Sequence, residues 1–321
     1  MGLDEDEVLK HNKPNDAWVT YKGRVLNITS FLSDHPGGSE IIEPYLGKDI
    51  TKQFDENDHS ENAIKMTKNM EVGNLTKPSK PEENLTIDPT RGLVYQVFTK
   101  LNLKAYQDFV NDPKHTKTNV RVFDSPILEP FSKTPWYAIP IFWIPVMLFY
   151  AYCGLKLGII SFVCLFLLGV VWWTIFEYSL HRFVFHSEKY LPDNPYWIVF
   201  HFLSHGIHHA YPMDNLRLVF PIALGVILVI VLKAGIYNNL MPVAVADAFA
   251  AGKLMGYMYY DLFHYYSHHS RPHIKYFSFM KTYHMAHHYK DPLKGFGVSN
   301  HFWDIVFGTL LPVTYRPTSL D

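Results

Sequence analysis

Cysteine is nearly absent from this sequence: Cys153 and Cys164 are the only two in 321 residues, each inside an apolar run. That excludes a disulfide framework and points to a reducing compartment for the soluble parts. Charge is also scarce, at 18% of residues with a formal net of -1, and no basic run is interleaved with aromatics. A nucleic-acid partner is therefore not expected. Residues 1–12 are acidic rather than basic and then apolar, so no N-terminal signal peptide is expected. Apolar side chains are plentiful, with 48% hydrophobic and 16% aromatic residues, which rules out disorder as the main state. At roughly 150 residues per domain the length fits about two domains. Residues 1–72 carry 8 Lys+Arg against 14 Asp+Glu, and the remainder carries 21 against 16. Such asymmetry implies two parts with different tasks.

Residues 6–75 read as a small domain of short strands and helices. Trp18-Val19-Thr20-Tyr21 and Arg24-Val25-Leu26-Asn27-Ile28 are strand runs around a Lys22-Gly23 turn. Residues 76–133 read as a linker, punctuated by Pro78, Pro81 and Pro89. Within it, Leu93, Val94, Val97, Phe98 and Leu101 recur at helical spacing, which predicts one amphipathic packing helix over 92–109.

From residue 134 the chain changes solvent. Trp136–Cys153 and Leu157–Phe176 are runs of 18 and 20 residues without a charge, each long enough to cross a bilayer. Leu218–Leu232 is uncharged, and Leu240–Tyr260 is apolar apart from Asp247 and Lys253. The connectors 154–156 and 233–239 are short, so the four runs form two helical hairpins. An even number of crossings returns the N-terminal domain, residues 177–217 and the tail 261–321 to one side. Arg182, Lys189, Arg217, Arg271, Lys275, Lys281, Lys290 and Lys294 flank that side, against Lys156 and Lys233 opposite, which makes the common side cytosolic. The sequons at Asn27, Asn74 and Asn84 are then expected to stay unglycosylated. Asp247 is expected to be paired and structural, because Ala244, Ala246, Ala248, Ala250, Ala251 and Gly252 around it favour close helix packing.

Two histidine signals carry chemistry. The first is His35-Pro36-Gly37-Gly38, with His59 24 residues later. Two neutral imidazoles on opposite faces of an iron porphyrin saturate the iron, which then shuttles electrons and does not bind oxygen. Two surface histidines beside turns are the alternative. With Asn12, Ala17-Trp18-Val19, Ile28-Thr29, Phe31-Leu32 and Gly47-Lys48-Asp49 in register, residues 6–75 resemble the cytochrome b5 domain. The resemblance implies haem b on His35 and His59. The acidic residues Asp34, Glu40, Glu43, Asp55, Glu56, Asp58 and Glu61 near the pair suit docking to a basic partner.

The second signal is a pile-up: 14 of the 18 histidines fall between His181 and His301. Four groups are spaced for ligation, namely His181 with His186, His205 with His208 and His209, His264 with His268, and His284 with His287 and His288. Residues three or four apart share a helix face, so each group offers side chains toward one point. The five-residue step from His181 to His186 fits a helix end better than a regular face. Ten ligands are too many for one ion and about right for two, and imidazole alone leaves the metal open. His201, His269, His273 and His301 fall outside the groups. Asp261, three residues before His264, either orients a ligand imidazole or caps a helix.

A haem carrier joined to a metal cluster points to oxygen chemistry. Two irons have the redox couple such chemistry needs; zinc has none, so zinc bound there would stand in for iron. Glu177-Tyr178-Ser179-Leu180-His181-Arg182-Phe183, Phe202 to His209, Pro212-Met213-Asp214, Tyr260-Asp261 and Gly295-Phe296-Gly297-Val298 resemble the sphingolipid fatty acid 2-hydroxylases along nearly the whole chain. That resemblance implies O2-dependent hydroxylation at C2 of long or very long acyl chains of ceramide or its precursor in the endoplasmic reticulum membrane, with an NAD(P)H-cytochrome reductase as electron source. The expected architecture is a small α+β cytochrome b5-like domain (6–75) and an all-α integral membrane domain (134–321), which has four transmembrane helices and a cytosolic histidine-rich metal site. An acyl desaturase, a sterol oxidase of the same superfamily and a histidine-rich metal transporter are the rival readings. A transporter would place its ligands mid-membrane, where only Asp247 lies.

Overall fold

Short strands of alternating polarity pair at the N-terminus into a five-stranded sheet: β1 (Gly2–Leu3), β2 (Asn12–Lys13), β3 (Asp16–Tyr21), β4 (Arg24–Asn27) and β5 (Glu71–Leu75), in the spatial order β1-β5-β4-β3-β2. The β3–β4 hairpin closes where expected, with Tyr21 opposite Arg24. Lys22 and Gly23 take φ of 51° and 77°, the left-handed pair that matches the twist of two strands. Ala17, Val19, Leu26, Ile28, Leu32 and Leu46 form the core beneath the sheet. Helices α1 (Glu5–Lys10), α2 (Ser39–Ile42), α3 (Thr51–Glu56) and α4 (Glu61–Asn69) complete this domain. The structure is a computed structural model that describes residues 2–35, 38–57, 59, 61–75, 87–116, 118–270 and 272–313. Pro36, Gly37, Asp58, Pro78, Pro81, the Asn84 sequon and Arg271 lie outside the described residues.

The single helix expected over 92–109 is two, α5 (Leu93–Lys100) and α6 (Leu103–Val110). Asn102 divides them, its side chain accepting the Ala105 N–H at 2.9 Å as an N-cap. The apolar period runs on through the break because both helices bury the same stripe. Leu93, Val97, Tyr106 and Phe109 pack with Ile198, Phe202 and Ile207, so this part of the presumed linker belongs to the core of the histidine-rich domain.

That domain continues through α7 (Ala138–Gly154), α8 (Ile159–Leu180), α9 (Pro195–His201), α10 (Ile207–Ala210), α11 (Ile222–Ile230), α12 (Asn238–Leu240), α13 (Val243–His269), α14 (Lys275–Tyr289) and α15 (Phe302–Val306). Among the described residues, three helical stretches are long and apolar enough to cross a membrane: Ala138–Leu157, Ile159–Phe185 and Ile222–Leu240. The fourth run forms α13, 27 residues long and so about 40 Å, but it is not among these three apolar stretches. α13 packs along α7 and α8 and buries Asp247, Lys253 and Asp261, so its surroundings are protein side chains. Asp247 is ion-paired with Lys233 at 2.8 Å, and Lys253 lies 3.7 Å over the Tyr237 ring. Gly252 makes the α8–α13 approach possible: a Cβ there would run into the Phe166 carbonyl.

Candidate metal centre and haem site

His35 follows a 3-10 turn (Leu32–Asp34), and His59 lies between α3 and α4. Their ring centroids are 6.2 Å apart. His35 Nδ1 is 3.1 Å from the Gly38 carbonyl oxygen, and His59 Nδ1 is 2.8 Å from that of Phe54. A carbonyl only accepts, so both Nδ1 atoms carry the proton and both Nε2 atoms keep a free lone pair. Phe54 stacks on His59 at 4.0 Å and Phe31 meets His35 edge-on. Burial holds His35 below the usual imidazole range, which keeps it neutral. This donor set fits two axial ligands of a haem.

The four histidine groups of the sequence converge into two groups of five buried residues. One holds His181, His186, His205, His209 and His287; the other holds His208, His264, His268, His284 and His288. Within each, the candidate ligand atoms lie within 4.8 Å of one another. Neighbours in sequence separate here: His208 and His209 face different groups, as do His287 and His288, because successive helical residues point about 100° apart. The i, i+4 pairs His205/His209, His264/His268 and His284/His288 each serve one group. His181 and His186 share a face through a π-helical turn, His181–Phe185, whose wider spiral brings residues five apart into line.

The nitrogens cannot all satisfy one another by hydrogen bonding, because a neutral ring nitrogen has either one proton or one lone pair. His208 Nε2 lies 2.8 Å from His264 Nε2 and 2.9 Å from His288 Nε2. His284 Nε2 lies 2.9 Å from His268 Nε2 and 3.1 Å from His288 Nε2. In the other group His181 meets His205 at 3.2 Å and His287 meets His186 at 3.0 Å, while the buried His209 Nε2 has no protein partner. With metal–nitrogen bonds of about 2.1 Å, two ligands at right angles lie about 3.0 Å apart, so these spacings fit two metal ions. Burial holds His284 and His288 well below the usual range and His287 down to about 4. All three are neutral, the form that donates to a metal.

The loops behind the ligands set ring orientation. His181 Nδ1 donates to the Phe296 carbonyl at 2.6 Å and His287 Nδ1 to the Lys294 carbonyl at 2.7 Å. The Phe296 turn is braced by Asp304, which accepts the Phe296 and Gly297 N–H groups at 2.9 and 2.8 Å. Glu177 ties α8 to the same loop through Ser299. Glu188 reaches His186 Nδ1 at 3.4 Å. The sequence reading missed Glu188 and Asp304 as site residues; for Glu188 the available signal was its position two residues after a ligand candidate.

Asp261 takes neither role expected of it. It is buried inside α13, where its carboxylate accepts the Phe220 N–H at 3.1 Å and the Tyr257 hydroxyl at 3.0 Å, tying the chain before α11 to α13. His201 is buried with both ring nitrogens bonded, to the Tyr106 hydroxyl at 2.5 Å and the Phe185 carbonyl at 2.7 Å. His269 and His273 are exposed and His301 is partly buried, and none of the three belongs to either group. Of the acidic residues in the small domain, Glu43 pairs with Lys290 at 2.8 Å, whereas Asp55 pairs with Lys22 of its own domain at 2.9 Å. A second contact joins the domains, Lys52 to Asp112 at 2.9 Å.

Residues 4–76 match the family described as Cytochrome b5-like Heme/Steroid binding domain, and residues 166–309 match Fatty acid hydroxylase. The chain is 36% identical to the Ceramide very long chain fatty acid hydroxylase SCS7 of Saccharomyces cerevisiae, over 95% of this chain and 93% of the yeast protein. It is 38% identical to the Dihydroceramide fatty acyl 2-hydroxylase FAH1 of Arabidopsis thaliana, over 73% of this chain and 97% of the plant protein. Among solved structures, full-length scs7p, in which only the hydroxylase domain is visible, matches with a TM-score of 0.67 and 39% identity, covering 71% of this chain and 86% of that one. The chain therefore belongs to the fatty acid hydroxylase family and is a hydroxylase that carries a cytochrome b5-like domain on the same polypeptide.

Proposed function

We propose that this enzyme hydroxylates C2 of the long or very long acyl chain of ceramide, using O2 and electrons passed through its own haem domain. The single observation that carries the reading is the pair of adjacent five-histidine groups in a chain with a cytochrome b5-like domain. The names of the yeast and plant relatives support the ceramide-linked acyl substrate and the C2 position. The ten histidines are the metal ligands in this reading, and His35 and His59 hold haem b. When bound, two irons supply the redox couple that activates O2 toward an unactivated C–H bond, a couple zinc lacks.

The chain's own residues do the rest. The Phe296 and Lys294 carbonyls fix His181 and His287 with Nε2 inward. The buried α13 face excludes bulk water from the site. An apolar cavity of about 320 Å³ along α13, lined by Tyr259, Leu262, Phe263, Tyr266 and Phe277, is the bed for acyl methylenes in this reading. In this reading the organisation is 6–75 haem domain, 76–133 connector, whose helices α5 and α6 pack into the neighbouring core, and 134–321 membrane domain. Four crossings, with α13 as the fourth, leave both termini and the metal site in the cytosol at the endoplasmic reticulum, where an NAD(P)H-cytochrome reductase feeds the haem.

Lipid mass spectrometry of cells lacking the protein tests the reaction: 2-hydroxy acyl species should vanish, and altered double bonds instead would favour a desaturase. Separability tests the electron route. His35→Ala should abolish the bis-imidazole haem spectrum and NAD(P)H-driven turnover while leaving the membrane-domain metals bound. His268→Ala or His287→Ala should leave the haem reducible and abolish product. Product formed by His35→Ala in membranes stripped of other cytochrome b5 would refute the fused haem as donor.

A further inference from the structure

The two histidine groups are unequally supported. In the His181 group, three Nδ1 atoms have protein partners: His181 on the Phe296 carbonyl, His287 on the Lys294 carbonyl, and His186 on the Glu188 carboxylate. In the other group, the buried Nδ1 atoms of His268, His284 and His288 have no hydrogen-bond partner in the protein. Partners on the distal nitrogen fix the tautomer and the ring, and a carboxylate there also raises ligand basicity.

Glu188 is unusual among these partners because it is charged and buried, at 5% exposure. Its ion-pair contacts among the described residues are two histidines, His186 at 3.4 Å and His201 at 3.3 Å. His201 also has other partners, its Nε2 lying 2.7 Å from the Phe185 carbonyl oxygen and its Nδ1 2.5 Å from the Tyr106 hydroxyl. The space bounded by Glu188, His186, His201, His205 and His209 is only about 10 Å³, room for a single water at most. A buried carboxylate is costly unless donors or a cation lie close to it. The point on which the His186 Nε2 converges, one imidazole away, is a place for such a cation.

We propose that Glu188 is a positioning residue that makes the His181 group the tighter of two metal sites, the His208 group exchanging its metal faster. This rests on the reading that the ten histidines hold two ions. Site affinities then differ because one site has an anionic partner behind His186 and the other has three unsupported rings. Loss of such an outer partner typically weakens a site about 10- to 100-fold.

The test uses the full-length protein in detergent, loaded with metal, quantified, and challenged with excess EDTA while metal release is followed by mass spectrometry of the filtrate. The wild type should start with two equivalents and release them in two phases of equal amplitude. His284→Ala should remove the fast phase. E188Q, which keeps an oxygen acceptor but loses the charge, should speed the slow phase by about 10- to 100-fold and leave the fast phase and the haem spectrum unchanged. E188D, which keeps the charge on a shorter arm, should speed the slow phase by less, and it reports if E188Q does not fold. A single phase in the wild type, or E188Q moving both phases equally or neither, overturns the proposal. Fewer than two equivalents at the start overturns the two-metal reading itself.

Discussion

Electron delivery should depend on Glu43 and Lys290. Lys290 is two residues beyond His288 at the end of α14, and it holds the haem domain through Glu43 at 2.8 Å, with side chains 40% and 19% exposed. The Lys52–Asp112 pair is similarly exposed, at 42% and 37%. Exposed pairs of this kind contribute about 0.2–1 kcal/mol each. Such weak clamps suit a carrier that must leave to be re-reduced and return. Reversing one charge replaces attraction with repulsion of like size, a change of about 0.4–2 kcal/mol, or roughly 2- to 30-fold in docking. The assay is stopped-flow re-oxidation of the pre-reduced haem, with O2 and ceramide present, in the full-length protein. E43K and K290E should each slow re-oxidation by that factor, and the double variant E43K/K290E should recover most of the rate. Rising salt should slow the wild type, since exposed charges are screened within about 10 Å at 0.1 M. Single variants as fast as wild type, or a double variant as slow as the singles, would refute docking through this pair.

Three further outcomes follow from the same geometry. Histidines whose folded pKa is depressed contribute stability that is present above the unfolded value and lost as pH falls through the folded one. For His287 that window runs from 6.5 down to about 4, so metal content and thermal midpoint should both fall as pH drops through it; retention of both at pH 4 would contradict neutral ligands. Asp304→Ala leaves the buried Phe296 and Gly297 N–H groups and the Thr309 hydroxyl without their acceptor, at about 1–3 kcal/mol each; a clearly lowered thermal midpoint is expected, and an unchanged one would show that the loop holds without its brace. Asn27 should carry no glycan, so its mobility on a gel should not shift with glycosidase; a shift would place the haem domain in the lumen.

The difference between what the sequence revealed and what only the fold revealed has a physical basis. Ligand groups were visible because helical spacing of three and four residues is a local property. Assignment of His208 against His209, or His287 against His288, was not, because it depends on where two helix axes stand relative to two points in space. The His181/His186 pair was visible as an anomaly, and its cause is a backbone hydrogen-bond pattern, the π turn, which side-chain identity alone does not encode. The break at Asn102 was not seen because the apolar stripe of α5 and α6 runs on across it. A fourth crossing was expected from hydropathy, whereas α13 meets α7 and α8 along its length and so tolerates Asp247 with its partner Lys233. Glu188 and Asp304 were overlooked because isolated acidic residues are exposed by default. Their burial, at 5% and 0% exposure, is created by segments far away in sequence: Tyr106 and His201 around one, and the Phe296 loop around the other. In a site built of neutral imidazoles these two carboxylates are the expensive residues, and each stands directly behind a ligand or its anchor.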